Sequence, residues 1–264
     1  MNNQLKTLRL IDTHAHLQLE PLVQDPGGVI HRAREQGVEW IISIGIDLED
    51  SKKMLQIVER FEHTYGCVGF HPHNATKASK HSLSNMFELA KHSKVVGYGE
   101  IGLDFYRNLS PLEKQISVFR DQIRMAKDLN LPVVIHLRNA YEQGLAILEE
   151  LSPFQIGGVI HCFSGTVEDA LRALELGFHI SIPGTITYKR NDAFRDIVRK
   201  LPLDRILLET DCPFLSPEPL RGKQNEPAYL IHTARKVAEL RGLDLDTLAE
   251  ITRRNAFNLF GISE

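Results

Sequence analysis

Histidine and acidic side chains recur at the ends of apolar runs in this chain, beginning with Asp12-Thr13-His14-Ala15-His16. Side chains alternate in extended backbone, so His14 and His16 share one face while Thr13 and Ala15 take the other. Two imidazoles converging on one point suit a single cation. Glu100 then closes Val96-Gly97-Tyr98-Gly99-Glu100, His136 closes Val133-Val134-Ile135-His136, and His161 closes Val159-Ile160-His161. Asp211 follows Leu207-Leu208-Glu209-Thr210. An ionised group beside so apolar a run is costly unless paired or bound to metal. His14, His16, Glu100, His136, His161 and Asp211 are therefore the expected metal ligands. Hydrolysis by a metal-activated water is the expected chemistry.

The runs that carry these residues read as strands. They are Leu8–Thr13, Trp40–Ile44, Gly66–Phe70, Val95–Ile101, Pro132–His136, Gly158–His161, His179–Ile182 and Arg205–Glu209. Several are almost wholly apolar, as parallel strands covered on both faces must be. Amphipathic segments separate them. Leu112 to Leu129 sets Ile116, Phe119, Ile123 and Ala126 on one stripe. Ser110-Pro111-Leu112 reads as an N-cap with proline at the first helical position, and Gly177 as a helix stop after Leu171 and Leu174. Two further helices are expected over Glu226–Arg241 and Leu245–Phe257. Eight alternations in 264 residues predict a single TIM (β/α)8 barrel domain over 1–264 with an additional C-terminal helix. Five of the strands then deliver an ionisable group to the C-terminal mouth, where such barrels do their chemistry.

Composition narrows the function further. A formal net charge of -3 gives no broad basic field, so an anionic substrate must be gripped locally. No strand is followed by GxGxxG or GxxxxGK[ST], which argues against a nucleotide cofactor. Cys67, Cys162 and Cys212 have no metal-finger spacing and read as buried, reduced thiols, pointing to a cytoplasmic protein. Met1–Arg9 lacks a leader-like apolar core, and no run approaches the ~18 apolar residues of a membrane span.

The motifs Asp12-Thr13-His14-Ala15-His16, Gly69-Phe70-His71-Pro72-His73, Gly99-Glu100-Ile101-Gly102-Leu103-Asp104, His161-Cys162-Phe163-Ser164-Gly165, Glu209-Thr210-Asp211-Cys212-Pro213 and Arg221-Gly222-Lys223-Gln224-Asn225-Glu226-Pro227 together resemble the TatD family of metal-dependent deoxyribonucleases. The likeness runs from Leu10 to Phe260. It implies an amidohydrolase-like barrel with two divalent ions (Zn, Mg, Mn or Ni). One ion would be held by His14, His16, Glu100 and Asp211. The other would be held by Glu100, His136 and His161, with Glu100 bridging. The implied activity is 3'-5' exonuclease cleavage of DNA phosphodiester bonds. Asp211 would be both ligand and proton acceptor, and Glu209, one layer deeper on the same face, would orient a ligand.

His71 and His73, with Arg138 two residues after His136, are expected to contact substrate. Arg221, Lys223 and Asn225, on the loop after the last strand, are expected either to bind phosphate or to brace the site. Tyr106 and Phe105 lie near enough to the mouth to meet a base, whereas Trp40 reads as packing. Single-stranded DNA ends suit so narrow a mouth. Two alternatives remain open from the sequence: a dinuclear hydrolase of a small amide, lactone or acyl ester, and a non-enzymatic binding protein on the same barrel.

Overall fold

Apolar β-branched runs become strands, and the periodic segments between them become helices, in strict alternation along the chain. The computed structural model describes residues 8–263, so most of the reading of Met1–Arg9 lies outside the described residues. The strands are β1 (Leu10–Ala15), β2 (Val38–Ile44), β3 (Thr64–Val68), β4 (Val95–Asp104), β5 (Val133–Arg138), β6 (Gly158–Ile160), β7 (Phe178–Ile182) and β8 (Ile206–Leu208). After the first seven come α1 (Pro26–Glu35), α2 (Leu48–Val58), α3 (Lys80–Leu89), α4 (Leu112–Asp128), α5 (Tyr141–Glu150), α6 (Val167–Glu175) and α7 (Asp192–Lys200). Two more helices, α8 (Leu230–Arg241) and α9 (Leu245–Phe260), follow β8. Each strand pairs in parallel with the next, giving one eight-stranded sheet in chain order.

The ring closes just beyond β8. His16 N donates to Cys212 O and Asp211 N to His14 O, each at 2.9 Å. Asp12 accepts from Thr210 N at 2.9 Å and from Thr210 Oγ1 at 2.5 Å. This is the expected TIM barrel with an added C-terminal helix.

Inside the ring, Ile11, Ile42, Val96, Val134, Val159 and Leu207 form one apolar cluster with Leu259 and Phe260 of α9. The added helix is thus the floor of the barrel, and Trp40, fully buried, packs edge-on against Phe257. Truncating a buried aromatic such as Phe260 typically costs about 3–5 kcal/mol.

Strict alternation fails in β1, which corrects the simple reading of the His-x-His pair. Ile11 faces the interior cluster and Ala15 the outer one. An even spacing with opposite faces requires an irregular residue, and the register shifts between Asp12 and Ala15. That bulge brings both His14 and His16 to Asp211.

Other boundaries also move. Glu100 and His136 do not end their strands, because β4 and β5 stay paired up to Asp104 and Arg138. Two glycines permit that approach: a Cβ on Gly99 would lie 2.5 Å from Val134 O, and one on Gly102 2.0 Å from His136 O. Ser110 is not the cap of α4. Its hydroxyl donates to His73 O at 2.8 Å, and Pro111 precedes the helix without a side-chain cap. Pro227–Tyr229 form a 3-10 turn, so α8 begins only at Leu230, and α9 runs on to Phe260. Gly177 takes φ 82° just past α6, the left-handed stop expected of it.

Candidate metal centre

All six expected ligands meet at the C-terminal mouth. Glu100, held by β4 and almost fully buried, is their hub. Its Oε1 lies 2.7 Å from His136 Nδ1, 3.2 Å from His161 Nε2 and 3.4 Å from His71 Nε2. Its Oε2 lies 3.4 Å from His14 Nε2. Across the closing seam, Asp211 Oδ1 lies 3.5 Å from His16 Nε2 and 3.9 Å from His14 Nε2. His14, His16 and Asp211 thus gather ligand atoms in one place, as do His14, Glu100 and His161, and His71, Glu100 and His136. A further group joins His161 and Asp211 to Cys162. Both Cys162 (φ 46°) and Asp211 (φ 55°) are left-handed non-glycine residues, a costly backbone state that collects at functional sites.

Outer partners orient the rings. His16 Nδ1 lies 2.8 Å from Ile44 O, and His161 Nδ1 3.2 Å from Glu209 Oε2, while Glu209 Oε1 also accepts from Cys162 N at 2.7 Å. His136 Nε2 lies 3.3 Å from Asp104 Oδ2. In each case one nitrogen can donate outward, leaving the other's lone pair facing the cluster. Glu209, expected one layer deeper than Asp211, is buried and within reach of His161. His14 differs: it is buried, stacked 3.6 Å from the His161 ring, and neither of its nitrogens has a hydrogen-bond partner. Buried polar atoms are seldom left so. A divalent cation is what this donor set lacks, so the residues present fit a bound metal.

The electrostatics agree. Burial raises the Glu100 carboxyl, but His161, His71, His136 and His14 outweigh it and hold Glu100 well below the usual carboxylate range. Burial opposes charge on His161, yet Glu209 and Glu100 drive it well above the ordinary imidazole value. His71 behaves oppositely, and burial pushes it down to about 4. Its Nδ1 accepts from His73 N at 3.1 Å, so the neutral ring carries its proton on Nε2, facing Glu100 and the cavity. That tautomer makes His71 a hydrogen-bond donor there.

The cluster opens into a cavity of about 660 Å³ whose wall includes His71, His73, Arg107, Leu109, Arg138, Cys162 and Phe214. Arg138 is exposed and stacks 4.1 Å over Tyr106. The loop after β8 departs from expectation. Arg221 and Lys223 are exposed and absent from this wall, and Arg221 borders a neighbouring hollow instead. Asn225 is fully buried, its amide donating to Thr210 O and Phe214 O at 2.9 and 2.6 Å, so it braces the loop that carries Asp211. Of the three thiols, all free, Cys67 and Cys212 are buried as expected, but Cys162 is half-buried in the cavity wall.

Three contributors escaped the sequence reading. Asp104, wholly buried, lies 2.8 Å from His73 Nε2 and accepts from Tyr106 N and Arg107 N at 3.0 and 2.7 Å. An aspartate capping the amides two and three residues on is an Asx-type turn, and Asp104-Phe105-Tyr106-Arg107 was its signal. Arg107 and Phe214 line the cavity without any spacing that would have singled them out.

A parallel α/β barrel with a His/Glu/Asp cluster at its C-terminal mouth is the build of a metal-dependent hydrolase. The comparisons agree. The family described as TatD related DNase matches residues 11–261. The uncharacterized metal-dependent hydrolase YabD of Bacillus subtilis is 41% identical over 254 residues, covering 96% of this chain and 100% of that protein. The 3'-5' ssDNA/RNA exonuclease TatD of Erwinia amylovora is 36% identical over 259 residues, covering 96% and 100%. The crystal structure of YJJV, a TatD homologue from Escherichia coli K12, superposes with a TM-score of 0.93 at 33% identity, covering 97% of this chain and 100% of that one. The chain belongs to the TatD family, and it is a metal-dependent hydrolase.

Proposed function

We propose that this hydrolase is a cytoplasmic 3'-5' exonuclease that cleaves phosphodiester bonds at single-stranded DNA ends with two divalent ions. The observation that carries the reading is the cavity itself. Glu100 offers one oxygen to His14 and the other to His136 and His161, while Arg107 and Arg138 stand in or beside the same opening. His14, His16, Glu100 and Asp211 would hold one ion, and Glu100, His136 and His161 the other. When bound, such ions neutralise phosphate oxygens and acidify water.

The residues of the chain do the rest. Asp211 takes the proton of the attacking water. His71, neutral with Nε2–H toward the cavity, donates to a non-bridging phosphate oxygen, and His73 is steadied beside it by Asp104. Arg138, its face against Tyr106, keeps its N–H edge for the phosphate. Exposed Tyr106 and Phe214 at the mouth offer ring faces to unpaired bases, which a duplex would withhold, and exposed Leu109 adds an apolar contact beside them. Relatives named as ssDNA/RNA exonucleases support this choice over a small amide, lactone or acyl ester.

The test strips the protein with a chelator, restores Mg²⁺, Mn²⁺, Zn²⁺ or Ni²⁺ in turn, and offers 5'-labelled single strands of DNA and RNA, a blunt duplex, a lactone and an acyl ester. A ladder shortening from the 3' end of the DNA strand only with metal is expected. Faster turnover of the lactone or ester, or full activity without metal, overturns the proposal.

A further inference from the structure

Beside the metal cavity, the loops after β7 and β8 build a second hollow of about 530 Å³, lined by Tyr188, Lys189, Arg190, Asn191 and Arg221. Its wall holds three cations and no acid. Among the described residues none of these cations forms an ion pair, and Asp192, the next acid along the chain, is engaged by Arg195 at 2.6 Å. Arg221 stacks 4.4 Å over the Tyr188 ring. Stacking occupies the guanidinium faces and leaves its N–H edge for an anion. Unpaired cations gathered in a concave place, in a chain of net charge -3, call for an anionic partner.

The hollow adjoins the catalytic cavity. Thr185 and Leu215 line that cavity, and Tyr188 N donates to Thr185 O at 3.0 Å, one 3-10 turn onward. Three residues at the rise of such a turn span ~6 Å. Tyr188 Oη also donates to Ser216 O at 3.0 Å, so the loops share one wall between the two openings.

We infer that this hollow is a backbone-phosphate subsite, holding a phosphate of the polynucleotide strand beyond the one undergoing cleavage. The inference rests on the nuclease reading above and adds a second grip to it. Lys189, Arg190 and Arg221 neutralise phosphate whatever the base, so the subsite favours longer strands without selecting sequence.

The test compares the full-length protein with a Lys189→Ala/Arg190→Ala double variant, both loaded with Mn²⁺. The substrates are a single-stranded 12-mer and bis(p-nitrophenyl) phosphate, a diester too small to reach the hollow. The variant should raise KM on the 12-mer roughly tenfold with kcat unchanged, and leave kcat/KM on the small diester alone. With one fewer phosphate neutralised at a slope of ~0.7, the wild-type KM should climb about 2.6-fold more than the variant's from 50 to 200 mM salt. Equal KM on the 12-mer, or equal loss on both substrates, overturns the subsite. If neither protein cuts the 12-mer while both cut the small diester, the nuclease reading falls by itself. Fluorescence anisotropy of the labelled 12-mer then decides the subsite: weaker binding by the variant supports it, and equal binding or none overturns it.

Discussion

Replacing Glu209 with glutamine tests whether the site depends on the tautomer of His161. Glu209 is 1% exposed and serves two donors, Cys162 N at 2.7 Å and His161 Nδ1 at 3.2 Å. A carboxylate accepts both. A glutamine has a single acceptor oxygen, and the Cys162 N–H, which cannot give up its proton, claims it at the Oε1 position, leaving nitrogen at the Oε2 position that His161 Nδ1 hydrogen-bonds. The glutamine NH₂ must then face His161 Nδ1. To accept from it, the imidazole has to move its own proton to Nε2, the nitrogen 3.2 Å from Glu100 Oε1. A protonated Nε2 offers no lone pair to a cation.

Loss of such an outer partner typically weakens metal affinity about 10–100-fold, or ~1.4–2.8 kcal/mol. On the two-ion proposal, competition with a fluorescent chelator measures both dissociation constants. Near-ultraviolet circular dichroism checks that the fold is kept. One constant should weaken within that range, while the one set by His14, His16 and Asp211 stays within roughly threefold, below the outer-shell range. Unchanged affinities in a folded variant would refute the tautomer argument. Equal weakening of both would show that Glu209 acts through its charge and not through His161.

Asp211→Asn should keep the fold but lower kcat roughly 10²–10⁴-fold, since the amide cannot take the water's proton; a wild-type rate at equal metal content would make Asp211 structural. Burial opposes the charge on His16, His136 and His161, but their carboxylate neighbours raise all three above 6.5, so in metal-free protein their stabilisation is complete below that pH and fades as pH rises through the raised values. Metal must displace those protons, so affinity should climb across the same interval; calorimetry in buffers of different ionisation enthalpy counts the protons released, and a flat profile from pH 6 to 8 refutes the assignment. Gly102→Ala would put a methyl 2.0 Å from His136 O at φ 145°, costing about 3 kcal/mol, or roughly 6–12 °C of Tm at this size; an unchanged melt would show that β4 and β5 can part without loss.

The barrel was legible because its strands carry long apolar runs and its chemistry begins abruptly where those runs stop. A run such as Val133-Val134-Ile135 tolerates no charge, so His136 marks the change from core to mouth. What could not be read is what depends on distance between strands. The bulge in β1, between Asp12 and Ala15, is exposed only by the strand's pairing with β2. Asp104 looked like a loop residue because its partners His73 and His136 come from two other strands' loops and ends. The loop after β8 divides in a way its sequence does not mark. Arg221, Lys223 and Asn225 are neighbours in sequence, yet burial draws Asn225 inward while both cations stay in solvent.

The site also lies on the thinnest seam of the sheet. β8 has three residues, and among the described residues its backbone bridge to β1 lies beyond the strand, Ala15 to Cys212, reinforced by Thr13 Oγ1 donating to Leu208 O at 3.0 Å and by Asp12 and Thr210. His14 and His16 stand on one side of that seam and Asp211 on the other. Burial opposes charge on His14, His16 and Asp211 across this weak pairing, and in metal-free protein the attraction between Asp211 and His16 offsets part of that opposition. A cation held by His14, His16 and Asp211, as proposed, would add to that attraction, and its binding free energy would contribute to closure. On the proposed ligand set, His14, His16 and Asp211 would therefore serve both the metal centre and the seam at which the barrel closes.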